Sequence, residues 1–281
     1  MSHKRQKIVE YAAEYKMKCE ENDAPRLAAE TFPEGVTVDC ADDKEIYTPE
    51  GFADNKEAFV LIHGGGFVYG SARVDRRFGM HLAKASGRRV FSLEYTLMPS
   101  VGIKDQLREL LDGIVRIKDE YGIEKIHLTG DSAGGYLSFA VSMLIRNREM
   151  RNILRFTETD LPEAVSVSPI CGVFTLADHE FPGELFTMSE DEIIPDFLYD
   201  LKEAAGRFDV PKTYISTGDM DFLKQDNRDL YETLIAKGDD ARFYEAVSND
   251  SREMKHVYAI FDPTWDESVE VIKGIIENAD R

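Results

Sequence analysis

Six short, mostly apolar runs recur along the chain, several of them ending at a glycine or a proline. They are Ala58–Ile62, Arg89–Leu93, Ile126–Thr129, Ala164–Ser168, Thr213–Thr217 and Ala241–Ala246. Continuous runs of this length suit strands covered on both faces of a parallel sheet. Between them the apolar period changes to three and four. Residues 104–121 show this most clearly, at Leu107, Leu110, Leu111, Ile114, Ile117 and Tyr121. A helix with one buried stripe is predicted there. Asp75–Ser86, 133–148, 225–237 and 265–278 read the same way. Ahead of the alternation, residues 6–21 predict a helix through Ile8, Tyr11, Ala12, Tyr15 and Cys19. Gly35–Cys40 and Lys44–Tyr47 predict a hairpin turning at Asp42-Asp43.

Alternation of strand and helix over most of the chain predicts a doubly wound α/β sheet. No repeat and no Pro/Gly/Ser linker divides it, so residues 1–281 are expected to form a single domain. Such sheets place their sites beyond the C-terminal ends of the strands. Residues 172–210 break the alternation. They are acidic and aromatic, with Phe174, Phe181, Phe186, Phe197, Tyr199 and Phe208. A connection this long predicts an insertion over one end of the sheet, a lid.

Composition narrows the function. With 34 Lys plus Arg against 53 Asp plus Glu, the net charge is −19. A surface that acidic repels phosphate backbones and anionic lipid, so no nucleic-acid or membrane partner is expected. The longest near-apolar stretch, Tyr136–Ile145, is about half of a membrane span. Met1-Ser2-His3-Lys4-Arg5 is followed by no apolar stretch of the secretory kind. Cys19, Cys40 and Cys171 have neither disulfide-framework nor zinc-ligand spacing, which fits a reducing compartment, the cytoplasm.

The chemistry lies just after the apolar runs. Gly130-Asp131-Ser132-Ala133-Gly134-Gly135 matches G-x-S-x-G, follows a predicted strand and opens a predicted helix. In that setting a serine sits on a turn so tight that its flanking residues must be small, with its hydroxyl raised above the sheet. The next N–H, of Ala133, then faces the reaction centre. His63-Gly64-Gly65-Gly66-Phe67 follows another run. Its glycines let backbone N–H groups approach a developing oxyanion. It lacks the spacing of a phosphate loop, and a plain flexible loop is the remaining reading. His63 itself reads as a structural hydrogen-bonder.

A serine needs a base. His3 is terminal, His81 and His127 fall in predicted elements, His179 in the insertion and His63 in the glycine loop. His256, after the last run, remains. Its carboxylate partner should end an earlier strand. Thr217-Gly218-Asp219-Met220-Asp221-Phe222-Leu223 offers Asp219 and Asp221, with Asp226 just beyond, and spacing does not choose between the first two.

His63–Phe67 together with Gly130–Gly135 resembles the hormone-sensitive-lipase-like branch of the α/β-hydrolases, which includes bacterial acetyl esterases and carboxylesterases. The likeness runs from about residue 58 to 260, and the order Ser, Asp, His agrees. It implies a mainly parallel sheet of about eight strands with a helical cap drawn from about 1–34 and 172–210. That branch carries its acid in a D-x-L element, which Asp221-Phe222-Leu223 matches. Ser132, Asp221 and His256 are thus the implied triad, with Gly64, Gly65 and Ala133 as oxyanion donors. Tyr95-Thr96-Leu97-Met98-Pro99-Ser100 departs from the branch's Tyr-Arg-Leu-Ala-Pro-Glu. The residues after the histidine, Val257 and Tyr258, are a looser fit than its usual small residue and aromatic. The implied activity is hydrolysis of small esters with acetyl to butyryl acyl groups, with no metal and no organic cofactor. The alternatives are an idle binding protein of the same fold, or amide or peptide cleavage by the same triad. The resemblance admits a homodimer, although no stretch of the sequence marks an interface.

Overall fold

The computed structural model describes residues 3–53, 56–176, 183–187 and 192–281. Helix α1 (His3–Ala28) leads into β1 (Val36–Cys40) and β2 (Lys44–Pro49), the expected hairpin. The strands β3 (Glu57–Ile62), β4 (Arg89–Leu93), β5 (Lys125–Asp131), β6 (Glu163–Ile170), β7 (Lys212–Gly218) and β8 (Ala241–Ala246) follow the six apolar runs. All eight strands form one sheet in the order β1-β2-β4-β3-β5-β6-β7-β8. The pairs β1·β2 and β2·β4 are antiparallel and the others parallel.

The alternate residues of β3 show why this run is apolar throughout. Ala58, Val60 and Ile62 join the core on one face of the sheet. Phe59 and Leu61 join the core on the other. Helices α3 (Ile103–Tyr121) and α4 (Ala133–Arg146) cover the first face through Leu107, Leu110, Leu111, Leu137 and Leu144. Helices α2 (Arg76–Ser86) and α9 (Asp266–Asp280) cover the second through Phe78, Leu82, Val271 and Ile275. The chain passes from β3 to β4 on one side, then to β5 on the other. The C-terminal ends of β3 and β5 therefore flank the switch point where such sheets open a crevice.

Three segments differ from the sequence expectation. The helix expected over 133–148 stops at Arg146, and a second helix, α5 (Arg148–Leu154), follows. Asn147 makes the break. Its side-chain amide donates to Met143 O and Asp209 O, and its Oδ1 accepts Asp209 N–H, so the chain is drawn off the helical path. Helix α1 runs beyond residue 21, through Pro25 to Ala28. Arg26 fastens that extra turn by donating to Val74 O and pairing with Asp23 and Glu30. Near its other end Arg5 donates to Thr187 O and Pro99 O. The region after β6 holds short 3₁₀ turns at Gly183–Phe186 and Asp196–Leu198, then α6 (Leu201–Arg207). Its Phe174, Phe186, Phe197 and Phe208 are buried in the first core. His179 and Phe181 lie outside the described residues. The remaining helices are α7 (Lys224–Lys237) and the short α8 (Tyr258–Phe261). Among the described residues, no helix is long and apolar enough to cross a membrane.

Candidate active site

Ser132 stands between the end of β5 and the first residue of α4, with φ 51° and ψ −117°. A left-handed φ on a residue with a side chain costs about 1–3 kcal/mol and persists only where neighbours enforce it. Here they do. Ser132 N–H donates to Ile170 O at 2.9 Å. A Cβ on Gly130 would overlap Ile62 O and Gly134 O, and one on Gly134 would overlap Ile62 O and His63 O. The turn is packed directly against the end of β3. Gly134→Ala is therefore expected to destabilise the protein by about 2 kcal/mol or more, roughly 4–8 °C in thermal midpoint. An unchanged midpoint would mean that the turn can relax away from β3.

Three distant residues meet at this turn. His256 Nδ1 lies 2.8 Å from Asp221 Oδ1, and Nε2 lies 2.9 Å from Ser132 Oγ. An ionised carboxylate only accepts, so the ring proton sits on Nδ1 and Nε2 accepts from the serine hydroxyl. Asp221 is buried, which pushes its carboxyl up. The hydrogen bond and charge of His256 more than offset this, helped by Leu223 N–H and the Thr217 hydroxyl, so its pKa falls below the usual carboxylate range. Asp219 points elsewhere, accepting Ser248 N–H at 3.0 Å and the Ser248 hydroxyl. A Cβ on Gly218 would overlap Met254 O, so the end of β7 packs tightly against the loop that carries His256.

The glycine loop crosses the serine turn. His63 is fully buried. Its Nδ1 contacts Gly64 O at 2.8 Å and its ring stacks on Tyr95 at 4.3 Å, while Tyr95 Oη donates to His63 O. Burial lowers its pKa to about 4, so it is neutral at neutral pH. The structure corrects the expectation for Gly64. Its N–H donates to Asp131 Oδ1 at 2.9 Å and is not free for an oxyanion. The loop lies so close to the turn that a Cβ on Gly64 would overlap the Asp131 carboxylate. The next residues, Gly65 and Gly66, have φ of 103° and 59°. Among the described residues, no acceptor takes the N–H of Gly65, Gly66 or Ala133.

A cavity of about 310 Å³ opens over Ser132 and His256. Helix α1 forms one wall with Tyr15, Cys19, Asn22, Asp23 and Arg26. Phe222, Val257, Ile260 and Phe261 form another, and Phe222 lies against the His256 ring at 4.5 Å. Asp75 and Asp131 also line it. The sequence motifs assign no site role to the α1 residues, to Asp75 or to Asp131. Cys171, Asp221 and His256 are the one group of metal-ligating type among the described residues, and two of them are already bonded to each other.

Known proteins resemble this chain in sequence and in fold to different degrees. The chain is 26% identical over 205 residues to an acetyl esterase of Salmonella paratyphi B. The match covers 68% of this chain and 62% of that protein, so the chain spans less than two thirds of its relative's length. An inhibited esterase B from Lactobacillus rhamnosis superposes with a TM-score of 0.84 at 21% identity, covering 97% of this chain and 96% of that one. An esterase of the bacterial hormone-sensitive lipase family superposes with a TM-score of 0.74 at 21% identity, covering 99% and 97%. Residues 59–259, from within β3 to within α8, match the family described as alpha/beta hydrolase fold, and the chain belongs to that family.

Proposed function

We propose that this protein hydrolyses small carboxylic esters with short acyl groups, acetyl to butyryl, through an acyl-enzyme on Ser132. The observation that carries the reading is the hydrogen-bonded row Asp221–His256–Ser132, which opens on a cavity beside the unpaired N–H groups of Gly65 and Ala133. Ser132 Oγ attacks the ester carbonyl while His256 Nε2 takes its proton. Asp221 keeps the proton on Nδ1 and stabilises the imidazolium. The carbonyl oxygen becomes an oxyanion, which the N–H groups of Gly65 and Ala133 bind, with that of Gly66 beside them. His256 then protonates the departing alcohol oxygen as the C–O bond breaks. Water, deprotonated by His256, repeats the sequence to release the acid and restore Ser132.

The likeness to curated acetyl esterases supports the acetyl end of the range. A cavity of about 310 Å³ is at the lower end of the roughly 300–1,000 Å³ usual for ligand pockets. The net charge of −19 disfavours anionic esters. The free thiols of Cys19, Cys40 and Cys171 favour a reducing compartment, the cytoplasm, as the place of work.

The test is a p-nitrophenyl series from acetate to decanoate, beside the matched p-nitroanilides. We expect kcat/KM to be highest from acetate to butyrate and to fall more than about tenfold by octanoate. A flat response to decanoate would remove the short-acyl assignment. Faster cleavage of the anilides would make the protein an amidase, and hydrolysis of neither would leave a binding protein.

A further inference from the structure

We propose that Asp75 is a positioning residue that shares one proton with Asp131, and that this carboxyl pair holds the glycine loop in register with Ser132. The proposal rests on the ester-hydrolase reading for its kinetic part only. Asp75 stands at the N-cap of α2, where an aspartate ordinarily accepts the first free N–H groups of the helix. It makes no such bond. Its side chain is turned inward instead, with the residue 1% exposed and lining the cavity shared by Ser132 and His256. Asp131, 5% exposed, immediately precedes the serine and lines the same cavity, with its carboxyl group facing that of Asp75.

Two carboxylates cannot bond without a proton between them. Asp75 Oδ2 receives no donor from any described residue, so the pair must supply its own. Asp131 Oδ1 accepts Gly64 N–H at 2.9 Å, a bond that favours the ionised form of Asp131. The proton therefore belongs on Asp75. Burial, then the facing Asp131, pushes the Asp75 carboxyl well above its usual range. The other charged or titratable groups facing the pair are Arg26 and Asp23 on α1, Tyr95 after β4 and His256.

One proton thus ties three segments together: the start of α2, the serine turn and the first glycine of the loop. Gly65, the next residue, is then held with its N–H free. The pair also carries one negative charge rather than two beside a centre where an oxyanion develops. Loss of the shared proton at alkaline pH adds the second charge and frees the carboxylates to separate.

Two measurements test this. The first needs no activity: the infrared difference spectrum of wild type against Asp75→Asn at neutral pH. Ordinary aspartates are ionised there, so a protonated carboxyl band present in the wild type and absent from the variant is expected. If no such band is found, the shared proton does not exist. The second is the pH profile of kcat with p-nitrophenyl acetate for wild type, Asp75→Asn and Asp75→Ala. Asn keeps a permanent donor to Asp131, so it should retain most of kcat and lose the wild type's alkaline decline. Ala removes the donor and should lower kcat about 10- to 100-fold with KM little changed. An Ala variant with full kcat, or an Asn variant as damaged as Ala at every pH, would overturn the positioning role. A wild type that cleaves no ester would sink the activity reading alone, since the infrared band still decides the proton.

Discussion

Ser132→Ala is expected to lower the turnover of short p-nitrophenyl esters by roughly four to six orders of magnitude. The substitution removes the atom to which we assign the acyl-enzyme, and it removes little else. Ser132 Oγ has His256 Nε2 as its partner, and the backbone bond of the turn to Ile170 O is unaffected. Alanine at φ 51° inherits the strain that serine already bears. The variant should therefore fold like the wild type. What rate survives is expected to come from the cavity and from the Gly65 and Ala133 N–H groups we assign to the oxyanion. Equal rates in the two proteins would show that Ser132 is not the nucleophile.

Asp221→Asn is the next largest, with a loss of about 10⁴-fold in kcat. Asparagine fills the same volume, but Oδ1 of Asp221 serves both Leu223 N–H and His256 Nδ1. An amide nitrogen in that place gives up the Leu223 bond and donates to His256 Nδ1, which drives the ring proton to Nε2. The imidazole would then offer Ser132 a proton instead of accepting one. Asp219→Asn is the matched control. That carboxylate serves Ser248 and does not reach the ring, so its loss should change kcat within roughly twofold. The reverse pair of results would move the acid to Asp219.

Which parts of this could be read in the sequence follows from how local their causes are. Five of the apolar runs became β3 to β7 because burial on both faces of a strand requires apolar residues along its length, and that signature is contiguous; the sixth became β8, an edge strand in which only Ala246 is buried, so its expected cover on both faces is not found. The serine turn was legible for the same reason, since its demand for small neighbours falls on Gly130 and Gly134, within two residues of Ser132. Asp219 and Asp221 stayed open because they differ only in which way each side chain leaves the turn after β7, and a motif from the resemblance was needed to choose. Gly64 and Gly65 look alike in sequence. They differ in the structure because one peptide faces Asp131 and the next does not, and that depends on how the loop lies across a strand end more than 60 residues away. Asp75 was invisible for a similar reason. The sequence reads it as the first residue of a helix, and only its burial on the cavity beside Asp131 reveals a side chain that makes no cap. The break at Asn147 depends on Asp209, again remote in sequence.

Helix α1 gives the cavity a wall that is separate from the groups we assign to chemistry. Ser132, Asp221 and His256 are fixed by strand ends and by turns where an added methyl group would overlap backbone. Cys19 and Asn22 belong to a helix that is largely solvent-facing, anchored inward by Ile8 and Ala12. A descendant of this protein could therefore drift in ligand preference by exchanging those helix residues one at a time, each step nearly neutral for folding, while the strained turn stays unaltered. Selection on such a chain would act on two clocks, slow at the sheet and fast at the helix.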